Sequence, residues 1–258
     1  MAMQVTTLFS GSKGNCVYIR NGNTKILIDA GRSLSALSKA LLLVGGRIED
    51  IDAVIVTHEH SDHVNALPVM MKKYNTEVHM TEKTYEAFIQ YYHPSYDTVV
   101  PHGTEYSINI GSLNITSFST PHDSADSVGY VIKSDTEALG YATDMGFPTK
   151  QVFDRLCSCN RVIVESNYDE KMLREGPYPI YLKERIESNR GHLSNEGCAL
   201  LVSRLAKAGV RGFVLAHLSE TNNLPELALR ASCHALSEIG ATDVSIIVAD
   251  RYCPTDIC

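Results

Sequence analysis

Three imidazoles and two carboxylates crowd into Thr57-His58-Glu59-His60-Ser61-Asp62-His63, directly behind the apolar run at residues 53–56. A short apolar run bounded by polar residues is the pattern of a strand buried on both faces. The polar loop therefore leaves the end of a buried strand. Such a cluster is costly to bury, because protonated imidazoles repel one another and unpaired charges lose hydration. A bound cation is the usual compensation. A tight loop at a strand end can aim His58 and His60 at one ion and Asp62 and His63 at another. A solvated polar loop is the plain alternative, but HxHxDH is far denser than a stray histidine pair.

Periodicity shows what the chain builds around that strand. Short β-type runs occupy residues 4–9, 16–20 and 25–29, with Gly/Asn turns between them. Residues 33–44 place Leu34, Leu37, Leu41 and Val44 at helical spacing and stop at Gly45-Gly46. Helical patterns at 64–74 and 82–91 flank a strand at 77–80. Further strands are expected at 106–110, 113–118, 127–133 and 138–142. The last third alternates, with strands at 162–165, 212–215 and 244–248 and helices at 195–208 and 224–239. This order predicts an α/β (α+β) arrangement, two packed sheets with helices outside. No linker or composition shift divides the 258 residues, and 44% hydrophobic content suffices for a sizeable core. A single domain over 1–258 is expected.

Composition narrows the partners. Lys plus Arg number 23 against 30 Asp plus Glu, a net charge of −7, so a broad basic face for nucleic acid is absent. A polyanion would be gripped locally, by a few cations and metals. Seven cysteines, odd in number and irregular in spacing, suit a reducing cytoplasm better than a disulfide framework. Cys157-Ser-Cys159 is not a CxxC pair and reads as ordinary thiols. The opening MAMQVTTLFSGSKGNC lacks a basic segment followed by a long apolar run, so no signal peptide is expected. No apolar stretch approaches the length of a membrane span, so no membrane partner is expected either.

Two ions need more ligands than one loop supplies. His122 follows the strand at 113–118, Asp144 follows 139–142, and His217 follows 213–215. Each alone is as readily a loop residue as a ligand. Together they share one position, just past an apolar strand.

These residues resemble the five ordered motifs of the metallo-β-lactamase superfamily: THEHSDH, a lone His, the Asp of ATDMG and a late His after a strand. Leu27-Ile28-Asp29-Ala30-Gly31 is similar to the first motif, whose Asp is usually a structural buttress for the metal loop. The resemblance covers nearly the whole chain and implies a four-layer αββα sandwich with metals at one sheet edge. It implies that one metal takes His58, His60 and His122, that the other takes Asp62, His63 and His217, and that Asp144 bridges them. All seven positions are filled. The implied cofactors are two divalent ions, Zn²⁺ by default, with Mn²⁺ or Fe²⁺ also suited to a nitrogen and oxygen ligand set.

The superfamily fold hosts thioesterases, lactonases, β-lactamases and nucleases, so substrate class rests on other residues. Gly191-His192-Leu193-Ser194 precedes a helix that Ser194 or Asn195 can cap, which would put His192 near a helix N-terminus suited to anions. Lys183, Arg185 and Arg190 could neutralise phosphate. Glu165, at another strand end, could orient His192 and keep it protonated as a general acid. Capping by His192 and a solvated cationic surface are the plain alternative.

The Glu165 and His192 stretches look like the Glu/His proton-relay pair of the phosphodiesterase and tRNase Z branch. FSGSKGNC, KERIESNRGHLSN and AHLSETNN together resemble the YycJ/WalJ group of bacterial metallohydrolases, regarded as DNA exonucleases working from 5′ ends. A metal-dependent phosphodiesterase follows from that resemblance, with hydroxide attack on phosphorus, His192 protonating the leaving oxygen, and DNA as the partner. Asn15, in the loop Gly11-Ser12-Lys13-Gly14-Asn15, joins Arg185 and Arg190 as a candidate substrate contact, although a plain hairpin turn fits that loop equally.

The long inserted cap domain of the RNase J type and the flexible arm of tRNase Z are missing, which turns the expectation away from structured RNA. His79, His234, His93 and His102 are set aside, the last two as loop residues beside prolines. With Tyr91 and Tyr92, His93 and His102 could line a nucleic-acid channel by stacking. A small-molecule hydrolase acting on an ester, thioester, lactone or cyclic phosphodiester is the alternative that the acidic charge favours. A regulatory protein with structural metals is a third, against which the filled ligand positions argue.

Overall fold

The computed structural model describes residues 3–92 and 97–257. Strands β1 (Gln4–Phe9), β2 (Cys16–Asn21), β3 (Thr24–Ile28), β4 (Ala53–Ile55), β5 (Glu77–Thr81), β6 (Val99–His102) and β14 (Thr255–Ile257) form one sheet in the order β14-β1-β2-β3-β4-β5-β6. The other sheet holds β7 (Ser107–Ile110), β8 (Leu113–Ser119), β9 (Val128–Lys133), β10 (Ala138–Ala142), β11 (Arg161–Glu165), β12 (Gly212–Ala216) and β13 (Ser245–Val248), in the order β13-β12-β11-β10-β9-β8-β7. Each sheet starts antiparallel and turns parallel, from β3 to β6 in the first and from β10 to β13 in the second.

Period-two alternation sets the layers. Ile19, Ile26, Ile28 and Ile55 of the first sheet meet Ile132, Leu139, Ile163 and Val214 of the second between the sheets. Leu27, Val54 and Val78 point the other way, under α1 (Leu34–Leu43), α3 (Leu67–Tyr74) and α4 (Glu82–Tyr92). Val162, Val164, Phe213 and Leu215 likewise pack under α5 (Lys150–Leu156), α8 (Asn195–Ala208) and α9 (Pro225–Glu238). The result is a helix–sheet–sheet–helix sandwich, the fold expected from the sequence.

Some local expectations differ from what is found. The stretch at 64–74 is broken: α2 (Ser61–Val64) ends before α3, whose first turn holds Pro68, where a missing N–H costs nothing. β6, β14, α5, α6 (Glu170–Glu175) and α7 (Ile180–Glu187) were not expected. His102 lies on β6 rather than in a loop. Its ring stacks on Tyr106 at 4.1 Å, and its Nε2 is 3.0 Å from His79 Nδ1. Tyr91 and Tyr92 end α4, and His93 lies outside the described residues. Among the described residues no helix is long and apolar enough to cross a membrane.

Candidate metal centre

The polar residues singled out above sit where parallel strands stop. Asp29 follows β3, Thr57 and His58 follow β4, Asp144 follows β10, Glu165 ends β11, and His217 follows β12. The described residues include four non-glycine positions with positive φ: Asp29 (59°), Asn75 (55°), Asp144 (56°) and His217 (56°). Asn75 caps α3. The other three turn the chain sharply at strand ends, at about 1–3 kcal/mol each, a strain that concentrates at functional sites.

Asp29 holds the histidine-rich loop from beneath. Its carboxylate accepts from Thr57 N at 2.8 Å and Thr57 Oγ1 at 2.9 Å, and lies 2.8 Å from His63 Nδ1. This is the buttress position that the first motif suggested. Gly31 packs still closer, since a Cβ there would stand 1.6 Å from the Asp62 carbonyl oxygen. α2 begins at Ser61, so Asp62 and His63 occupy a single helical turn while His58 and His60 precede it in the loop.

Ligand-type atoms of His58, His60 and His122 lie within 4.8 Å of one another, as do those of Asp62, His63 and His217. Asp144 stands between the two groups, with Oδ2 3.4 Å from His63 Nε2 and Oδ1 3.8 Å from His122 Nε2. Most rings are oriented from behind through Nδ1: His58 by Thr57 Oγ1 (3.0 Å), His122 by the Gly191 carbonyl (3.1 Å), His63 by Asp29 and His217 by Glu165 Oε1 (2.8 Å). Each leaves Nε2 for the centre, as outer partners of metal-binding histidines do.

His122 Nε2, His217 Nε2 and Asp144 Oδ2 are buried and have no hydrogen-bond partner. An orphaned buried polar atom costs about 1–3 kcal/mol, and three of them converging on one centre are accounted for by cations. The donors are nitrogen and oxygen without thiolate, so the side chains fit divalent ions. Restoring a divalent metal to chelator-treated protein should therefore raise Tm by about 5–10 °C at saturation. A melting curve indifferent to metal would remove the centre from consideration.

The electrostatics point the same way. Burial, reinforced by His63, His122 and His60, pushes the His58 pKa well below its usual value and keeps its lone pair free. Burial opposes ionisation of Asp62, yet His63 and His217 outweigh it and hold the carboxyl far below the carboxylate range. His217 is disfavoured as a cation by burial but raised to about 10 by Asp144, Asp62 and Glu165. The half of the centre built on Asp62, His63 and His217 binds protons avidly and so offers the negative potential a metal ion needs.

Glu165 does more than the sequence suggested. Oε1 lies 2.8 Å from both His192 Nδ1 and His217 Nδ1, while Oε2 accepts from Met145 N (3.0 Å) and Leu193 N (3.1 Å). One buried carboxylate thus fixes His192, His217 and the loop after Asp144. Burial disfavours its charge, but His192 and His217 depress its pKa strongly. The His192 pKa is raised, Glu165 overcoming the effect of burial.

The other candidate contacts are placed less openly. Arg185 pairs with Asp123. Arg190 donates to the His122 carbonyl at 2.9 and 3.0 Å and so braces that loop. Asn15 is buried, its amide 3.0 Å from His63 Nε2 and 3.3 Å from Asp62 Oδ2. Two supports escaped the sequence reading. Ser10 Oγ accepts from His217 N at 2.8 Å, and Asn167 Nδ2 donates to the His217 carbonyl at 2.8 Å. Asn167 stands two residues past Glu165, and that spacing was the only available hint.

Comparison with known proteins agrees with this geometry. The profile of the Beta-lactamase superfamily domain matches residues 24–218. Exodeoxyribonuclease YycJ of Bacillus anthracis is 32% identical over 246 residues, covering 93% of this chain and 91% of that protein. Exodeoxyribonuclease WalJ of Streptococcus pneumoniae is 32% identical over 241 residues, covering 92% and 90%. The crystal structure of the metallo-β-lactamase fold protein YhfI from Bacillus subtilis superposes with a TM-score of 0.74 at 18% identity, covering 98% of this chain and 99% of that one. On the profile match and the near-full-length relatives, the chain belongs to the metallo-β-lactamase superfamily, close to the YycJ group, and is a metal-dependent hydrolase.

Proposed function

We propose that the chain is a dinuclear-metal phosphodiesterase that degrades DNA from 5′ ends, a single domain over 1–258 working in the cytoplasm. The observation that carries this is Asp144 standing between two three-residue ligand groups, with the His192–Glu165 pair alongside. His58, His60 and His122 would hold one ion and Asp62, His63 and His217 the other, with Asp144 available to both. Zn²⁺ is the first choice, with Mn²⁺ and Fe²⁺ next. Such ions, when bound, supply an activated water at neutral pH and neutralise charge growing on the phosphate.

The chain's own side chains do the rest. Glu165 anchors His192 through Nδ1, which leaves Nε2 to hold the proton that a leaving alkoxide needs. Arg190 and Asn15 keep the His122 and Asp62 loops in place, and Arg185 stands at the rim with its charge shared with Asp123. The DNA substrate is supported by two relatives that bear the name exodeoxyribonuclease.

Metal-loaded protein incubated with end-labelled duplex DNA should release nucleotides from 5′ ends first. His192→Ala should slow DNA hydrolysis by about 10²–10⁴-fold. The same change should act more weakly on bis(p-nitrophenyl) phosphate, whose nitrophenolate departs without a proton. Release from 3′ ends, or turnover of a thioester or lactone with DNA untouched, would refute the proposal.

A further inference from the structure

Two stretches singled out in the sequence, residues 9–16 and 216–223, contribute only His217 to the ligand groups, yet the fold brings them together at one lip of the centre. A Cβ on Gly11 would stand 3.2 Å from the Leu218 carbonyl, and Lys13 Nζ pairs with Glu220 at 2.6 Å. The segment after β13 completes the lip. Arg251 Nη2 donates to the Ser219 carbonyl at 2.7 Å, and the Tyr252 hydroxyl bonds Glu220. The Arg32 guanidinium lies 5.5 Å from the Phe9 ring centre and 5.6 Å from that of Tyr252, with Nη1 3.4 Å from the Lys13 carbonyl.

Lys13 pairs with Glu220, and Arg32 and Arg251 reach the same lip through the Lys13 and Ser219 carbonyls, in a chain of net charge −7. Lys13 sits on the loop whose Asn15 amide touches Asp62 and His63, so the lip borders that half of the centre. The backbone N–H groups of the exposed Ser12 and Lys13 have no partner among the described residues.

We propose that this lip is a subsite for a phosphate group of the nucleic-acid chain, next to the phosphate that is cleaved. It rests on the phosphodiesterase reading above. Arg32, flanked by two rings, presents a planar donor set already fixed in place. Lys13 is 63% exposed and can exchange Glu220 for a phosphate by a swing of its side chain. Glu220 competes with the substrate for Lys13. The half-exposed Tyr252 ring offers a face on which a base can stack.

The test compares wild type, Lys13→Ala, Arg32→Ala and Glu220→Gln on oligonucleotides with a 5′-phosphate or a 5′-hydroxyl, and on bis(p-nitrophenyl) phosphate. Lys13→Ala and Arg32→Ala should each raise KM for DNA about three- to tenfold and lower the salt slope by about one. Bis(p-nitrophenyl) phosphate turnover should be unchanged. Glu220→Gln should lower the DNA KM, a change of opposite sign that misfolding cannot produce. Loss confined to 5′-phosphorylated DNA identifies a terminal phosphate, and equal loss on both oligonucleotides identifies an internal one; either supports the subsite. An unaltered DNA KM and salt slope in both alanine variants overturns it, as does equal damage on the small ester. Wild-type protein that hydrolyses the small ester but no DNA overturns the nuclease reading instead.

Discussion

Asp144→Asn is expected to lower phosphodiester hydrolysis by about three orders of magnitude, on the order of 4 kcal/mol at the transition state. The substitution keeps the side chain's shape, and Asn tolerates the left-handed backbone at this position, where φ is 56°. What it removes is the charge. Asp144 lies within 4 Å of His63, His122, His192 and His217, so one carboxylate faces rings from both ligand groups. Without it the neighbours lose their shared anion, and one oxygen donor becomes a weak amide. Elemental analysis should show fewer than two ions per chain, with circular dichroism unchanged. Full metal content together with wild-type turnover would eliminate Asp144 as the shared ligand.

Gly31→Ala should be the most damaging single-methyl change in the chain. The added Cβ would stand 1.6 Å from the Asp62 carbonyl oxygen, 2.3 Å from its carbon and 2.6 Å from Asn15 N, all backbone atoms that cannot rotate aside. Relief requires separating the chain after β3 from the metal loop. That would break Gly31 N to Asn15 O (2.9 Å) and Asn15 N to Asp62 O (2.8 Å). A cost of about 3 kcal/mol or more follows, equivalent to a Tm fall of about 6–12 °C in a chain of this size. Activity should drop at least a hundredfold, since a displacement of about 1 Å at a catalytic constellation has that effect. Gly103→Ala is the control: a Cβ there meets nothing within 4 Å, so it should melt like wild type. A Gly31→Ala protein with normal melting and full metal content would contradict the close packing described.

Much of the centre was legible because four of its seven candidate ligands are local. His58, His60, Asp62 and His63 fall within six residues, and their density declares them. His122, Asp144 and His217 are single residues, recognisable from the strand ends they follow and from the family pattern. The supports were not legible. Ser10 and Asn167 reach His217 from segments remote in the chain, just past the ends of β1 and β11, and short polar residues at strand ends look like any turn. The second partner of Glu165 was hidden for the same reason, because His217 lies 52 residues away.

The fold was read well where apolar runs are long. It was missed in β14, three residues of which only Ile257 is buried, and in β6, an edge strand containing Pro101. The break between α2 and α3 was concealed because Leu67, Met70 and Met71 continue the apolar rhythm past it.

The ligands are drawn from both layers of strands. His58 and His60 come from the first sheet and His122 from the second; Asp62 and His63 come from the first and His217 from the second. Under that assignment each ion is a rivet through the sandwich, and neither half of the molecule can retain a metal by itself. A chain still being synthesised could not fill the second position until His217 had emerged and folded back, long after the HxHxDH loop was available. Full occupancy would then certify that the chain has closed past His217, and a fragment released earlier would lack the paired ions on which hydrolysis depends.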